Sequence, residues 1–141
     1  MNFAKNKKKR LALRLFFPAI IFFILDRFFK KMALQGKISF FPNPNLALGI
    51  PCPDFIFYPL FLVIFYFLSQ NLIRFWQEKR SRDFFALSLI LTGAFSNFLD
   101  RIHHFYVIDY LNFFSFSLIN LADLMIVCGA LIFIFSFLKK A

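Results

Sequence analysis

The chain has 141 residues, 60% of them hydrophobic and 22% aromatic, with 26 Phe and a formal net charge of +10. That composition leaves too little polar surface to coat a water-soluble globule and points into a bilayer. Nucleic acid is not the partner the charge implies, because Lys and Arg sit beside apolar runs instead of along one aromatic-studded face.

The basic run "KNKKKR" precedes a first apolar stretch, residues 11–29, which contains Pro18 and Asp26 and is followed by Lys30. A spanning helix needs about 20 apolar residues, and a proline inside it is tolerated where neighbours satisfy the freed carbonyl. This stretch leads into "DRFFKK" with no small-residue cleavage site, so it reads as a retained anchor. Asp26 and Lys30 are four apart, on one helical face, and are expected to form an interfacial ion pair.

Residues 30–54 follow, punctuated by Gly36, Pro42, Pro44, Gly49, Pro51 and Pro53, with a short strand-like alternation in "KISFF". The remaining apolar stretches are residues 55–75, 84–100 and 118–138. Basic "RFWQEKRSR" joins the second to the third and "KK" follows the fourth, which puts both termini and the middle loop in the cytoplasm and residues 30–54 and 100–117 outside. The expected fold is an all-α polytopic membrane protein. Its single membrane-embedded domain, residues 1–141, has four transmembrane helices, a small outer β-cradle and an interfacial loop or helix around the aromatic segment "DRIHHFYVIDYLNFFSFS".

Cys52 and Cys128 read as small apolar fillers, and His103 and His104 lack partners at zinc-ligand spacing, so neither metal nor cofactor is expected. The acidic residues say more. Glu78 and Asp83 lie in the basic middle loop and are expected to be solvated, whereas Asp26, Asp100, Asp109 and Asp123 fall at one level, the outer ends of the spans. A carboxylate at a helix centre costs about 2.5 to 3.5 kcal/mol to insert, less near the interface, and such residues usually have a partner or a task. Asp26 has Lys30, and Asp100 lies with Asn97 and Arg101 in a polar cluster at the end of the third span. Asp109 and Asp123 have no cation nearby in sequence and are left for each other.

Two carboxylates a few ångströms apart cannot both stay ionised, so one keeps a proton. The ionised member can take a proton from water attacking a peptide carbonyl while the other supports the developing oxyanion, which is aspartic-protease chemistry. Asn120 in "NLAD" also reads as a helix cap with Asp123 in the first turn, where the helix dipole favours the ionised carboxylate. On that ground Asp123 is expected to be the more acidic member and Asp109 the proton holder.

In this order "TGAFSNFLDRI", "VIDY" and "INLADLMIVCG" resemble the signature of the lipoprotein signal peptidases, or signal peptidase II, with its GNxxDR-type, VVDF-type and FNxAD-type motifs. Upstream, "LDRFFK" resembles that family's D-x-x-x-K and "NLALGI" its outer-loop N-x-G-A-A-F. The resemblance implies catalytic Asp109 and Asp123, with substrate binding or site support from Asn45, Asn97, Asp100, Arg101, Asn120, Asp26 and Lys30. It implies cleavage of membrane prolipoproteins just before a cysteine that carries an S-diacylglyceryl group, contact with membrane lipids, and inhibition by the cyclic peptide globomycin. It also implies the bacterial inner membrane, with the active site near the outer face. Departures from the family pattern are Ala47, Thr92 and Ser96 in place of glycines, Ile119 in place of an aromatic, and a short interval from Asp109 to Asp123. The rival readings are a small proton-coupled transporter or a scaffold subunit, and the confinement of the aspartates to one level argues against a relay.

Overall fold

In a computed structural model the described residues are 2–45, 50–113 and 117–139. They form α1 (Asn2–Leu34), β1 (Phe41–Asn43), α2 (Asp54–Gln77), α3 (Ser81–His104), β2 (Val107–Asp109), β3 (Leu111–Phe113), β4 (Ser117–Ile119) and α4 (Leu121–Leu138). Among the described residues, α2, α3 and α4 are long and apolar enough to cross a membrane. Their outward faces carry Leu62, Phe67 and Phe135, each more than half exposed, which only a lipid environment accommodates in such density.

Helix α3 is the centre of the bundle: α1, α2 and α4 all pack on it. Successive helices run antiparallel, so the C-terminal ends of α1 and α3 meet the N-terminal end of α4. Lipid offers no hydrophobic drive to bring helices together, and close approach at small residues takes its place. The α3–α4 seam shows this at two points. A Cβ on Gly93 would stand 2.5 Å from the carbonyl oxygen of Ala122, and one on Gly129 would stand 2.6 Å from that of Ala86. Ala86 and Gly93 are one heptad apart on α3, as are Ala122 and Gly129 on α4, so the two contacts lie on one face of each helix. The upper contact fixes the distance between Asn97, one turn beyond Gly93, and Asp123, next to Ala122.

Element ends differ from expectation in instructive ways. The third helix passes residue 100 and reaches His104, where Phe105 closes it in the left-handed conformation, φ 64°, its N–H bonded to the Arg101 carbonyl. The fourth begins at Leu121 and not at 118, because 117–119 are taken into β4 and Asn120 caps the helix. The outer strand is Phe41–Asn43 and not "KISFF"; it pairs antiparallel with β2, Phe41 opposite Asp109 and Asn43 opposite Val107. Pro42 is acceptable in a two-stranded ladder because its missing donor can face away from the partner. In place of an interfacial loop or helix, the described part of the aromatic segment beyond α3 forms β2 and the antiparallel pair of β3 with β4, extended structure that its Val, Ile, Tyr and Phe favour. Ala47 lies outside the described residues.

Gly93→Val is expected to lower the thermal unfolding midpoint in detergent, as overpacking against a backbone carbonyl costs about 1–3 kcal/mol. An unchanged midpoint would mean that the α3–α4 seam is loose.

Candidate active site

The site grows from one buried lysine. Lys30, on the last turns of α1, is fully buried, and each of its three ammonium hydrogens has its own acceptor. Asp26 Oδ2 lies at 2.9 Å, Asp100 Oδ2 at 2.7 Å and Asn97 Oδ1 at 2.8 Å. The expected Asp26–Lys30 pair therefore exists, but as a buried pair and not an interfacial one. Burying ions is costly unless every lone pair and proton is matched, and here they are.

Asp26 receives, besides Lys30, the hydroxyls of Ser96 at 2.6 Å and Tyr110 at 2.9 Å and the Ala122 N–H at 3.2 Å. Its carboxylate thus sits on the first turn of α4, where free amides and the helix dipole attract negative charge. Burial and the Asp26 charge push the Tyr110 phenol up, so it stays a donor to Asp26 while accepting the Leu121 N–H. Asp100 is taken by Lys30, by Arg27 Nη1 at 2.5 Å and by the Ile108 N–H at 3.3 Å. Its sequence neighbour Arg101 turns the other way: its guanidinium donates to the carbonyls of Pro44 and Asn45 and lies over the Phe57 ring, clamping the chain after β1.

Asp109 and Asp123 differ in kind from these. Neither takes part in an ion pair among the described residues, and both accept only from neutral amides. Asn97 Nδ2 donates to Asp123 Oδ1 at 2.7 Å, with its own Oδ1 pinned by Lys30. Asn120 holds both aspartates at once. Its Nδ2 donates to Asp109 Oδ1 at 2.8 Å, its Oδ1 accepts the Asp123 N–H at 2.9 Å, and its own N–H reaches Asp123 Oδ2 at 3.2 Å. The capping box read from "NLAD" is therefore present and also reaches across to Asp109. Burial pushes the Asp109 carboxyl up to about 6, with the Asp123 charge adding to the rise and the bonds from Asn43 and Asn120 opposing it.

The expected residues Asp26, Lys30, Asn97, Asp100, Asn120, Asp109 and Asp123 thus form one connected network. Arg101 and Asn45 meet each other instead, and Asn45 contributes its backbone carbonyl and not a side-chain bond to an aspartate. The outer-loop asparagine that does reach the pair is Asn43, whose Nδ2 lies 3.0 Å from Asp109 Oδ2. It shares a face of the β1–β2 ladder with Asp109, one diagonal step away. Sequence reasoning also missed Arg27, Ser96 and Tyr110. Ser96, read as a replaced glycine, is fully buried and bonds Asp26; Thr92, the other such position, bonds back to the Ser88 carbonyl. The signal for Asn43 lay in "NPN", which offers two asparagines without indicating which one the strand would aim inward.

The model of the family described as signal peptidase (SPase) II matches residues 18–139. The lipoprotein signal peptidase of Halothermothrix orenii is 34% identical over 100 residues, 69% of this chain and 66% of that one. The lipoprotein signal peptidase of Serratia marcescens is 41% identical over 88 residues, 57% of this chain and 52% of that one. The matched stretches span about half to two thirds of the length of these curated relatives. The fold is similar to that of a bacterial membrane enzyme solved by the in meso method at 2.3 Å resolution, with a TM-score of 0.72 at 23% identity over 92% of this chain and 88% of that one. From Pro18 in its first helix to Lys139 at the close of its last, this chain belongs to the signal peptidase II family.

Proposed function

We propose that this protein is an aspartic-type endopeptidase of the bacterial inner membrane that removes the signal peptide from prolipoproteins, cutting before the S-diacylglyceryl cysteine. The observation that carries this reading is the contrast among the four carboxylates at this end of the bundle, of which Asp26, Asp100 and Asp109 are buried and Asp123 half-buried. Asp26 and Asp100 are neutralised by Lys30 and Arg27, whereas Asp109 and Asp123 share one asparagine and meet no cation among the described residues. Carboxylates held by amides keep their proton affinity near the range where one of a pair can accept and the other donate.

Asp123, ionised, takes a proton from the water whose oxygen attacks the scissile carbonyl carbon. Asp109 gives its proton to the carbonyl oxygen, so the tetrahedral intermediate is a neutral diol. On collapse the diol returns a proton to Asp109, the C–N bond breaks, and Asp123 passes its proton to the departing nitrogen. The pair ends as it began. With α1 as a fourth span and both termini cytoplasmic, the pair lies near the outer face, at the depth of a lipidated cysteine. Lipid-facing helices bound this end of the bundle, which suits a substrate arriving from the bilayer. A proton-relay reading fares worse, because below Asn97 the α3 hydroxyls of Ser88 and Thr92 bond back to their own helix and offer no onward path.

Purified protein is expected to cleave a diacylglyceryl-modified prolipoprotein in detergent, and Asp109→Asn and Asp123→Asn each to reduce cleavage by several orders of magnitude at unchanged unfolding temperature. Substantial activity in either variant would overturn the two-carboxylate site.

The pH profile tests the proton assignment. Catalysis needs one proton on the pair, and Asp109 holds it up to about 6, so kcat/KM should fall as pH rises through that value. The Asn43 bond favours ionised Asp109, so Asn43→Ala should raise the Asp109 pKa and move this descending limb to higher pH, with a lower kcat. A limb that stays in place in Asn43→Ala would detach Asn43 from the pair.

A further inference from the structure

The end of the bundle remote from the aspartates has a constellation of its own. The α2–α3 turn reads "EKRSRD" and α4 closes on Lys139. Between them lies a cavity of about 280 Å³ lined by Lys79, Arg80, Arg82, Asp83, Ser136 and Lys139. Asp83 is not solvated in the loop as expected but lies in the first turn of α3, buried and bonded to Arg80 Nε at 2.5 Å, and the Arg80 guanidinium lies over the Phe75 ring. Lys79, Arg82 and Lys139 meet no carboxylate within ion-pair distance among the described residues. The lining therefore carries four cations against one carboxylate.

Ser136 supplies an independent observation. It is 8% exposed and lines the cavity, yet its hydroxyl has no hydrogen-bond partner among the described residues. The hydroxyls of Ser88 and Thr92, in the neighbouring helix, bond back to carbonyls of their own helix. That hydroxyl is not sealed in the interior but open to the cavity, where an acceptor oxygen can reach it.

We propose that this cavity binds the phosphate headgroup of an anionic phospholipid, with Ser136 and the unpaired cations as its donors. The volume is close to the lower end, roughly 300 Å³, of small-ligand pockets, enough for a headgroup and too small for a whole lipid. The acyl chains have somewhere to go: at the same end of the bundle an apolar groove of about 430 Å³ is bounded by Phe16, Leu72, Trp76 and Phe84. Basic pockets between spanning helices favour anionic headgroups in this way, and the surface potential of an anionic leaflet raises their local concentration. The inference rests on α2, α3 and α4 lying in a bilayer, and not on the chemistry of the aspartates.

Trp76, the chain's single tryptophan, stands at this end and reports occupancy. Short-chain phosphatidylglycerol titrated into the purified full chain in neutral detergent is expected to change Trp76 fluorescence saturably. Short-chain phosphatidylcholine and inorganic phosphate should do so far more weakly. Arg82→Gln with Lys139→Gln should weaken phosphatidylglycerol binding roughly 30-fold, about fivefold for each cation. Ser136→Ala should weaken it several-fold, which a diffuse surface attraction would not. Asp109→Asn should leave it unchanged. Equal binding of phosphatidylcholine, equal binding of inorganic phosphate, or indifference to both the charge and the Ser136 substitutions would overturn the proposal.

Discussion

The structure depends on a single ammonium group. Lys30 lies where α1, α3 and the start of α4 converge, and its three hydrogens go to Asp26, Asp100 and Asn97, one acceptor each. No other residue type does this: Arg would bring five donors in a fixed plane, and a neutral side chain would leave two buried carboxylates facing each other. Each acceptor then has a second task. Asp26 receives the first turn of α4, Asp100 receives the N–H of Ile108 and so places β2, and Asn97 turns its amide nitrogen to Asp123. One cation thereby sets the positions of both aspartates of the pair, Asp109 through the strand and Asp123 through the asparagine, without touching either.

This division of labour separates ions that build from ions that react. Lys30 and Arg27 are spent on Asp26 and Asp100, and the pair is left to neutral amides. Had Lys30 reached Asp109 or Asp123 directly, the carboxylate would have been held ionised by an adjacent charge and lost its use as a proton carrier near neutral pH. The other end of the bundle shows the opposite balance, with cations in excess around its cavity.

Much of this was legible in the sequence where a pattern is local. Apolar length gave the helices, the four-residue spacing gave Asp26–Lys30, and Asn120 three residues before Asp123 gave the cap. What was not legible depends on contacts between distant elements. Asn97 could be placed in a cluster but its bridging between Lys30 and Asp123 needed the α3–α4 seam, which hinges on Gly93 and Gly129 in helices whose composition does not single them out. Asn43 was passed over for Asn45 because strand register decides which of two near neighbours faces inward, and a three-residue strand containing a proline leaves almost no trace in the sequence. The pairing of Asp100 with α1, and not with Arg101 beside it, follows from α3 being helical there: adjacent residues diverge by about 100°.

The double attachment of Asn120 has a further meaning for what can occupy that position. At an ordinary helix start, asparagine and aspartate serve almost equally, since the cap needs only an acceptor. Here the two ends of the amide have opposite duties, Oδ1 toward the Asp123 N–H and Nδ2 toward Asp109, so its orientation is fixed and it cannot flip without losing both bonds. An aspartate would keep the helix start intact and turn a donor into a third carboxylate aimed at Asp109. The helix would still begin in the same place, but at an end where a local rule of secondary structure accepts either residue, the neighbouring carboxylate accepts only one.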